Sequence, residues 1–379
     1  MTNYKAKALQ IHKKHIGKLG VNSLMPINTK TDLSLAYTPY VAEVCKHIFQ
    51  NPKLARSLTL KGRTIAVITD GSAVLGLGNL GPLPALPVME GKCVLFKTLG
   101  GVDAFPICLN TQNIDEIVRT IKLIAPVFGG INLEDISAPR CFEIENRLRK
   151  ELDIPVLHDD QHGTATVVLA GLINALKLKR LGANKAKVVI NGAGAAGTAV
   201  AELLLQYGIK NLIVCDSQGI LSPLRKDIND YKLKLANLTN PKKIHGGLDT
   251  ALQDTDVFIG LSVKNILTQK MIKLMNPKPI IFALANPEPE IHPKLAKQAG
   301  AFIVATGRSD YNNQINNVLA FPGIFKGALK NKVKTITAPM LIQAAKNLSA
   351  HIKNITPLQI LPKSLDKSVA MSVARAITN

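Results

Sequence analysis

The sequence predicts an α/β protein, with an N-terminal α/β domain followed by a doubly wound parallel sheet and C-terminal helices. Three observations predict this class. Short apolar segments typical of buried strands alternate with longer helical patterns over most of the 379 residues. One of these segments opens directly into a glycine-rich turn, and the pattern becomes helical throughout beyond residue 326. A chain of this length accommodates two domains, which we place at residues 1–162 and 163–379.

The overall composition is that of a protein with an ordinary hydrophobic core. Hydrophobic residues make up 46% of the chain, and no apolar run approaches the roughly 18 residues that span a bilayer. The N-terminus lacks the apolar core of a signal peptide, so we expect a cytoplasmic protein without a membrane partner. The net charge of +21 raises the question of nucleic acid, but the lysines are dispersed and aromatic residues make up only 4%. We therefore expect a solvated basic surface and no nucleic-acid partner.

The cysteines give no sign of a disulfide framework. They are odd in number and scattered, and none forms a Cys-x-x-Cys pair. That pattern is typical of reduced thiols rather than of a zinc site. The five are Cys45, Cys93, Cys108, Cys141 and Cys215.

The first domain is expected to begin with a mostly helical region up to residue 60. A buried strand at residues 63–69 follows and opens into a glycine-rich turn at residues 70–79. Apolar residues after Lys92 predict a second strand. A lysine at that position is usually a surface residue, and it becomes a usable base only where burial lowers its pKa and a carboxylate holds it. Two helices are then expected, at residues 113–125 and 138–152.

Two pairs of acidic residues follow predicted strands. Glu134-Asp135 ends an apolar segment, and Asp159-Asp160 lies between a strand at residues 155–157 and a helix that starts at Thr164. One explanation of the second pair is that one aspartate caps the helix and the other faces water. Carboxylates that converge from two strand ends, however, need a cation to remain ionised together. Oxygen ligands alone indicate Mg²⁺ or Mn²⁺.

A dinucleotide-binding pattern opens the second domain. The strand at residues 187–191 leads into Gly192, Gly194 and Gly197 of a Gly-x-Gly-x-x-Gly turn, with Ala195 and Ala196 between the last two glycines. A helix to residue 207 and a strand at residues 211–215 come next, and Asp216 lies 19 residues beyond the last glycine. This is the context that a Rossmann-like NAD-binding domain requires. The carboxylate of Asp216 would accept hydrogen bonds from a ribose and repel a 2′-phosphate, which favours NAD over the alternative, NADP.

Three further strands are expected, at residues 256–260, 279–284 and 301–305, and polar residues follow each of them. Ligands bind outside the carboxyl ends of strands in open parallel sheets. Asn286 is therefore a candidate substrate contact, although an Asn-Pro sequence also forms simple turns. Asn316 and Asn317, in an amide-rich segment, are expected to face the same crevice.

Taken together, the motifs resemble those of the malic enzymes, in particular their short bacterial form, over essentially the whole chain. The matching motifs are Tyr-Thr-Pro at 37–39, Asp-Gly and Leu-Gly-Leu-Gly-Asn within 70–79, Glu-Gly-Lys at 90–92, Asn-Leu-Glu-Asp at 132–135, His-Asp-Asp-Gln-His-Gly-Thr-Ala at 158–165, the dinucleotide turn, Asn-Pro at 286–287 and Asn-Asn at 316–317.

The resemblance implies oxidative decarboxylation of L-malate to pyruvate and CO₂ with NAD or NADP and Mg²⁺ or Mn²⁺, decarboxylation of oxaloacetate as a further activity, and a homodimer or larger assembly. It also implies roles for individual residues. These are metal ligation by Glu134, Asp135 and Asp160, a general base at Lys92 with Asp159 as its partner, a general acid at Tyr37, substrate contacts from Asn286 and Asn317, and coenzyme contacts from Ser262, Asn286, Asp216 and the glycine-rich turn.

The chemistry requires such a set, because C2 of malate is oxidised only as its hydroxyl loses a proton to a base. Two positions differ from the family pattern. Tyr40 stands where the short forms have glycine after Tyr-Thr-Pro, and Ser72-Ala73 stands where the long forms carry a substrate-binding arginine. Arg308 or a lysine of a neighbouring subunit is a candidate replacement. Two alternatives remain open, a malolactic enzyme that releases lactate and a catalytically impaired NAD-binding protein.

Overall fold

The N-terminal half is built on a four-stranded parallel sheet. The computed structural model describes residues 4–379, so the first three residues of the predicted N-terminal helical region lie outside the described residues. The strands are β1 (Thr64–Thr69), β2 (Asp103–Cys108), β3 (Gly130–Leu133) and β4 (Val156–His158), in the order β2-β1-β3-β4. The helices of this half are α1 (Tyr4–His15), α2 (Lys30–Ala36), α3 (Val41–Gln50), α4 (Ala55–Leu58), α5 (Pro82–Leu95), α6 (Ile114–Ile124), α7 (Arg140–Glu151) and α8 (Asp159–Lys179).

The C-terminal half contains a six-stranded sheet, parallel except for its short edge strand. The strands are β5 (Lys187–Asn191), β6 (Asn211–Asp216), β7 (Gly219–Ile220), β8 (Val257–Gly260), β9 (Ile280–Ala283) and β10 (Ile303–Thr306), in the order β10-β9-β8-β5-β6-β7. The helices are α9 (Ala195–Tyr207), α10 (Asp230–Thr239), α11 (Leu248–Leu252), α12 (Gln269–Lys273), α13 (Pro293–Gln298), α14 (Phe321–Lys330), α15 (Ala338–Ala350) and α16 (Ser368–Ala374). The strand order reverses between β5 and β8, as in a Rossmann-like fold, and the predicted class is confirmed.

The central helix α8 joins the two halves. Most of its residues are buried, because it packs against α9 and α15. The predicted domain boundary between residues 162 and 163 falls inside this helix, and the two sheets lie on either side of it in the chain. The C-terminal helices also reach the first half, where Phe321 packs edge-on against Phe96 with ring centroids 4.6 Å apart. One hydrophobic core therefore extends across both halves.

Some predicted elements differ from the structure. Lys92 lies on helix α5, and the strand predicted after it was wrong. A short apolar run alone does not distinguish a buried strand from a buried helix. The buried positions Ala85, Met89, Lys92 and Cys93 instead follow the helical repeat. Strand β2 was not predicted.

The segment from α1 to α3 differs from the rest of the fold in its exposure. None of the residues in these three helices is buried. Many of the side chains are nevertheless large and apolar, and Ile16 and Phe49 are 93% and 88% exposed. Among the described residues, no helix combines the length and the apolar character needed to span a membrane. All five cysteines are free, as predicted.

Candidate active site

Four carboxylates, those of Glu134, Asp135, Asp159 and Asp160, follow the carboxyl ends of β3 and β4. These two strands are parallel neighbours, with Leu133 opposite His158, so the acids that follow them are brought side by side. Glu134, Asp135 and Asp160 each offer a carboxylate oxygen, and these oxygens all lie within 4.8 Å of one another. The backbone N–H of Asp135 donates to Oδ2 of Asp160 at 2.9 Å. The structure thus brings the three predicted metal ligands together.

The electrostatics of this cluster favour a bound cation. Burial, together with the neighbouring carboxylates, raises the pKa of Glu134 well above its usual range. The same two causes raise the pKa of Asp135 to about 7. Oδ2 of Asp135 is buried and has no hydrogen-bond partner. An all-oxygen donor set that carries this much repulsion suits a hard divalent cation such as Mg²⁺ or Mn²⁺.

Lys92 faces the acid cluster from helix α5. Its Nζ lies 2.6 Å from Oδ2 of Asp159 and 2.7 Å from Oε1 of Glu134, and it lies 4.3 Å from the ring centroid of Phe321. Burial lowers the pKa of Lys92. The carboxylates of Asp159, Glu134 and Asp160 together raise it by more than burial lowers it, so the net pKa is above its usual value. Without a cation, the condition that burial lowers the pKa of this lysine is therefore not met, although a carboxylate does hold it.

Asp159 is the partner of Lys92, as the sequence suggested. It is fully buried in the first turn of α8, which begins earlier than the predicted helix. Burial raises the pKa of Asp159 to about 6 although Lys92 opposes the shift. Its Oδ1 is buried and has no hydrogen-bond partner. The carboxylate is thus held by the lysine and does not act as an exposed helix cap.

Glu145 supports the turn that carries the aspartates, a role that was not predicted from the sequence. It is buried on α7, where its Oε1 accepts the backbone N–H of His158 at 3.0 Å and its Oε2 accepts Nε2 of Gln161 at 3.1 Å. Nε2 of His162 lies 3.0 Å from the same carboxylate. Arg149, four residues further along α7, donates to the backbone oxygen of Ile336 and not to Glu145. The signal available was that Glu145 falls on the apolar face of its helix.

A cavity of about 760 Å³ lies at the switch point of the second sheet. Four of the predicted coenzyme residues line it, namely Gly192, Gly194, Asp216 and Ser262. Ala195, Ala196 and Gly197 form the first turn of the adjoining helix α9, whose N-terminus suits a pyrophosphate. A Cβ at position 197 would lie 1.8 Å from the backbone oxygen of Gly192, so only glycine allows this approach of helix to strand.

Two comparisons with known proteins decide the family. The model described as malic enzyme, N-terminal domain, matches residues 17–149, and the model described as malic enzyme, NAD binding domain, matches residues 161–379. The chain belongs to the malic enzyme family. It is 52% identical over 374 residues to the bifunctional malic/malolactic enzyme of Bacillus subtilis, covering 98% of this chain and 91% of that protein. It is 51% identical over 366 residues to the NAD-dependent malic enzyme of Geobacillus stearothermophilus, covering 96% of this chain and 76% of that protein.

Solved malic enzymes have the same fold. The NAD-dependent malic enzyme from Thermotoga maritima superposes with a TM-score of 0.95 at 48% identity, covering 98% of this chain and 99% of that one. The malic enzyme from Pyrococcus horikoshii gives 0.95 at 47% identity, covering 99% and 89%. The resemblance inferred from the motifs is thereby confirmed.

The two predicted substrate amides border different parts of this malic enzyme site. The backbone oxygen of Asn286 would lie 2.5 Å from a Cβ at Gly76, so it contacts the glycine-rich turn. The Cβ of Asn317 would lie 3.4 Å from a Cβ at Gly163, one turn beyond Asp159.

The cations near the predicted substrate site already have partners. Arg308, considered as a replacement for the missing arginine, donates to Asp310 at 2.7 Å and to the backbone oxygen of Pro287 at 2.9 Å. Arg140 approaches the glycine-rich turn instead and donates to Oδ2 of Asp70 at 2.9 Å. Its own Nε is buried and has no hydrogen-bond partner. No local sequence pattern indicated this arginine, because it lies 70 residues along the chain from Asp70.

Asp216 has a different environment from the one the sequence suggested. Its Oδ1 accepts the backbone N–H of Gln218 at 2.9 Å and Nη1 of Arg225 at 2.8 Å, and its Oδ2 accepts Nζ of Lys232 at 2.7 Å. Burial raises the pKa of Asp216. Hydrogen bonds from Arg225 and Lys232 lower it by more than burial raises it, so the net pKa is below its usual value. The negative charge is compensated by two cations, so its repulsion of a 2′-phosphate is weaker than expected.

Tyr37 is the predicted malic enzyme residue that one chain does not bring to the cluster. It ends helix α2, its side chain is 69% exposed, and it makes no hydrogen bond to Lys92 or the acids in the described part of the chain. Tyr40, the departure from the family pattern, lies just before α3 and is 59% exposed.

Proposed function

We propose that this member of the malic enzyme family oxidises and decarboxylates L-malate to pyruvate and CO₂ with NAD. The observation that carries the proposal is the position of Lys92. Its Nζ contacts both Asp159 and Glu134, beside the cluster that Glu134 forms with Asp135 and Asp160. A protein that only bound NAD would have no need for this arrangement. The NAD-binding domain and the NAD-dependent relatives support the coenzyme.

We infer that Glu134, Asp135 and Asp160 hold Mg²⁺ or Mn²⁺. When bound, such an ion would act as a Lewis acid on the oxygen at C2 of the substrate. The protein contributes a rigid donor set. Asp135 has the positive φ of 52°, and its N–H is fixed on Asp160, so both carboxylates are oriented by the backbone.

Lys92 is the group placed to accept the hydroxyl proton of malate. It is charged while the surrounding carboxylates are uncompensated. Compensation of the charges of Glu134 and Asp160 would remove two of the causes that raise the pKa of Lys92 and so bring it closer to that of a useful base. Asp159 keeps the ammonium or amine pointed at the cluster through its 2.6 Å contact. Decarboxylation leaves a carbanion equivalent at C3, which needs a proton donor such as the phenol of Tyr37.

We propose that a second copy of the chain covers the segment from α1 to α3, and that Tyr37 of this segment completes the active site of that second copy. The unburied apolar side chains of this segment are far more numerous than a solvated arm would carry. The segment is anchored next to α5, the helix that carries Lys92, because Nζ of Lys18 donates to the backbone oxygen of Pro87 at 2.6 Å. A homodimer in which each subunit completes the other's site would bury the apolar surface and place Tyr37.

We also propose a coenzyme preference. NAD is the expected coenzyme, and the compensated charge of Asp216 leaves NADP as a second substrate for the same cavity. The cytoplasmic location and the absence of a nucleic-acid partner inferred from the sequence stay predictions.

The decisive experiment uses purified protein with L-malate and Mn²⁺. Coenzyme reduction is followed by absorbance with NAD and NADP in parallel, and pyruvate and lactate are quantified. We expect pyruvate equal to the coenzyme reduced. Lactate without net coenzyme reduction would support the malolactic alternative, which the name of the Bacillus subtilis relative suggests. No turnover with either coenzyme would contradict both activities.

A further inference from the structure

Glu290 is a buried carboxylate that no step of the proposed reaction uses. It is 0% exposed, and among the residues the structure describes it has no cationic partner. Its Oε1 accepts the backbone N–H of Ser262 at 3.1 Å, and its Oε2 accepts the backbone N–H of Ala285 at 3.0 Å. Burial raises its pKa. Burying a carboxylate without a cation costs free energy, and the two hydrogen bonds offset part of that cost.

The two loops that Glu290 joins serve different ligands. Ser262 follows β8 and lines the coenzyme cavity together with Val263. Ala285 follows β9 and directly precedes Asn286, the candidate substrate contact. One side chain therefore links the coenzyme loop, residues 261–267, to the substrate loop, residues 285–290.

Backbone contacts reinforce this link. The N–H of Leu267 donates to the backbone oxygen of Glu290 at 3.0 Å, and the N–H of Asn265 donates to that of Pro289 at 3.2 Å. The end of β8 is also shaped around the carboxyl group. A Cβ at Gly260 would lie only 2.3 Å from Cδ of Glu290, so glycine at this position leaves the space that the side chain occupies.

We propose that Glu290 is a positioning residue that keeps the coenzyme loop and the substrate loop in a fixed position relative to each other. The inference rests on the proposed function, since it assigns a ligand to each loop. A carboxylate can accept both N–H groups at once because it has two acceptor oxygens. An amide has only one acceptor oxygen, and its NH₂ group would face the second N–H. Losing either bond would let one loop move independently of the other.

The test compares Glu290→Gln with Asp256→Asn. Asp256 is a buried carboxylate at the opposite end of β8, where it accepts the backbone N–H of Lys187 at 3.0 Å and pairs with Nζ of Lys179 at 2.9 Å, so it is a control for the loss of buried polar contacts away from both ligands. We expect Glu290→Gln to raise KM for malate and KM for NAD about tenfold each, with a smaller change in kcat, because a buried N–H is left unpaired in a loop that contacts each ligand. Asp256→Asn should leave both KM values unchanged.

A second variant approaches the same contact from the other side. Gly260→Ala keeps the carboxylate but displaces it, and it should reproduce the rise in both KM values. Calorimetric titration with NAD alone gives a readout that does not require turnover. Wild-type protein that reduces no coenzyme with malate would refute the proposed function. Active wild-type protein with unchanged KM values and NAD affinity in a folded Glu290→Gln or Gly260→Ala variant would overturn the role of Glu290. An equal rise in KM in Asp256→Asn would overturn it as well.

Discussion

Nζ of Lys92 lies 2.6 Å from Oδ2 of Asp159, and both side chains are buried in the interior of the molecule. The lysine comes from helix α5 and the aspartate from the first turn of α8, 67 residues further along the chain. In the same orientation, Nζ of Lys92 also lies 2.7 Å from Oε1 of Glu134. The base and the acid cluster are therefore parts of one hydrogen-bonded unit.

Substitution of Lys92 should separate catalysis from coenzyme binding. We expect Lys92→Ala to reduce malate-dependent NADH formation by about 10³-fold, within the usual range for loss of a general base. NAD affinity should be nearly unchanged, because the residues lining the coenzyme cavity do not include Lys92. Steady-state kinetics and calorimetric titration measure the two effects. Lys97→Ala is the matched control, since Lys97 is 63% exposed and pairs with Asp103. Wild-type turnover in Lys92→Ala would refute the assignment.

The acid cluster should make the stability of the metal-free protein depend on pH. The pKa of Asp135 is raised from 3.8 to about 7 in the folded protein. The folded state therefore binds more protons than the unfolded state between these values, and the stabilising contribution of Asp135 is fully present below pH 3.8 and is lost as the pH rises through 7. Chemical unfolding in EDTA at pH 5 and pH 8 should show this loss in the wild type.

Asp135→Asn isolates the contribution of that side chain. Asparagine tolerates the positive φ of 52° at this position, so the backbone need not change. The variant should be more stable than the wild type at pH 8 in EDTA by about 1 kcal/mol, the usual scale of relieving a strained functional site. Mn²⁺ should stabilise only the wild type. An identical response of both proteins to pH and to Mn²⁺ would contradict the proposed cation site.

The parts of the structure that the sequence predicted depend on local patterns. The strands around Ile65, the turn at Gly192 and the acids at 134–135 and 159–160 are each signalled within a few residues. In parallel sheets the carboxyl ends of neighbouring strands share an edge, so convergence of the acids followed from those local signals.

The parts that were missed depend on contacts between residues that are distant along the chain. Whether the apolar run after Lys92 is helix or strand is decided by the sheet on which it packs, not by the run itself. The partners of Asp216 come from residues 225 and 232, and no local pattern shows that they turn back onto the strand. The net pKa of Lys92 depends on how many carboxylates surround it, which requires coordinates. One chain leaves Tyr37 exposed and away from the acid cluster, which no local pattern indicates.

The environment of Asp216 gives a prediction about coenzyme choice. Lys232 lines the cavity and pairs with Asp216 at 2.7 Å, so a 2′-phosphate bound beside Asp216 would face its ammonium group. We expect Lys232→Ala to lower kcat/KM with NADP about tenfold, the usual scale of losing one charge-assisted hydrogen bond, and to change kcat/KM with NAD much less. Lys234→Ala is the control, since Lys234 is 71% exposed and pairs with Glu202. Equal losses with both coenzymes would show that Lys232 does not read the 2′-position.

The exposed position of Tyr37 gives a prediction that a mixture of two inactive proteins can test. Tyr37→Phe and Lys92→Ala should each be inactive as pure proteins. If Tyr37 serves the site of the second subunit, a mixed dimer contains one site with both residues intact. Random reassembly of equal amounts then restores about a quarter of the wild-type activity, because half of the dimers are mixed and each has one working site.

A matched mixture provides the control for this recovery. Lys92 and Asp159 contact each other within one chain, so every site in a Lys92→Ala and Asp159→Asn mixture lacks one of them. That mixture should stay inactive after the same unfolding and refolding. Recovery only in the first mixture requires that the phenol and the lysine come from different chains, whereas no recovery in either mixture would place Tyr37 in the site of its own chain. Sedimentation of the reassembled proteins must show dimers or larger assemblies, because a monomer cannot complement another chain.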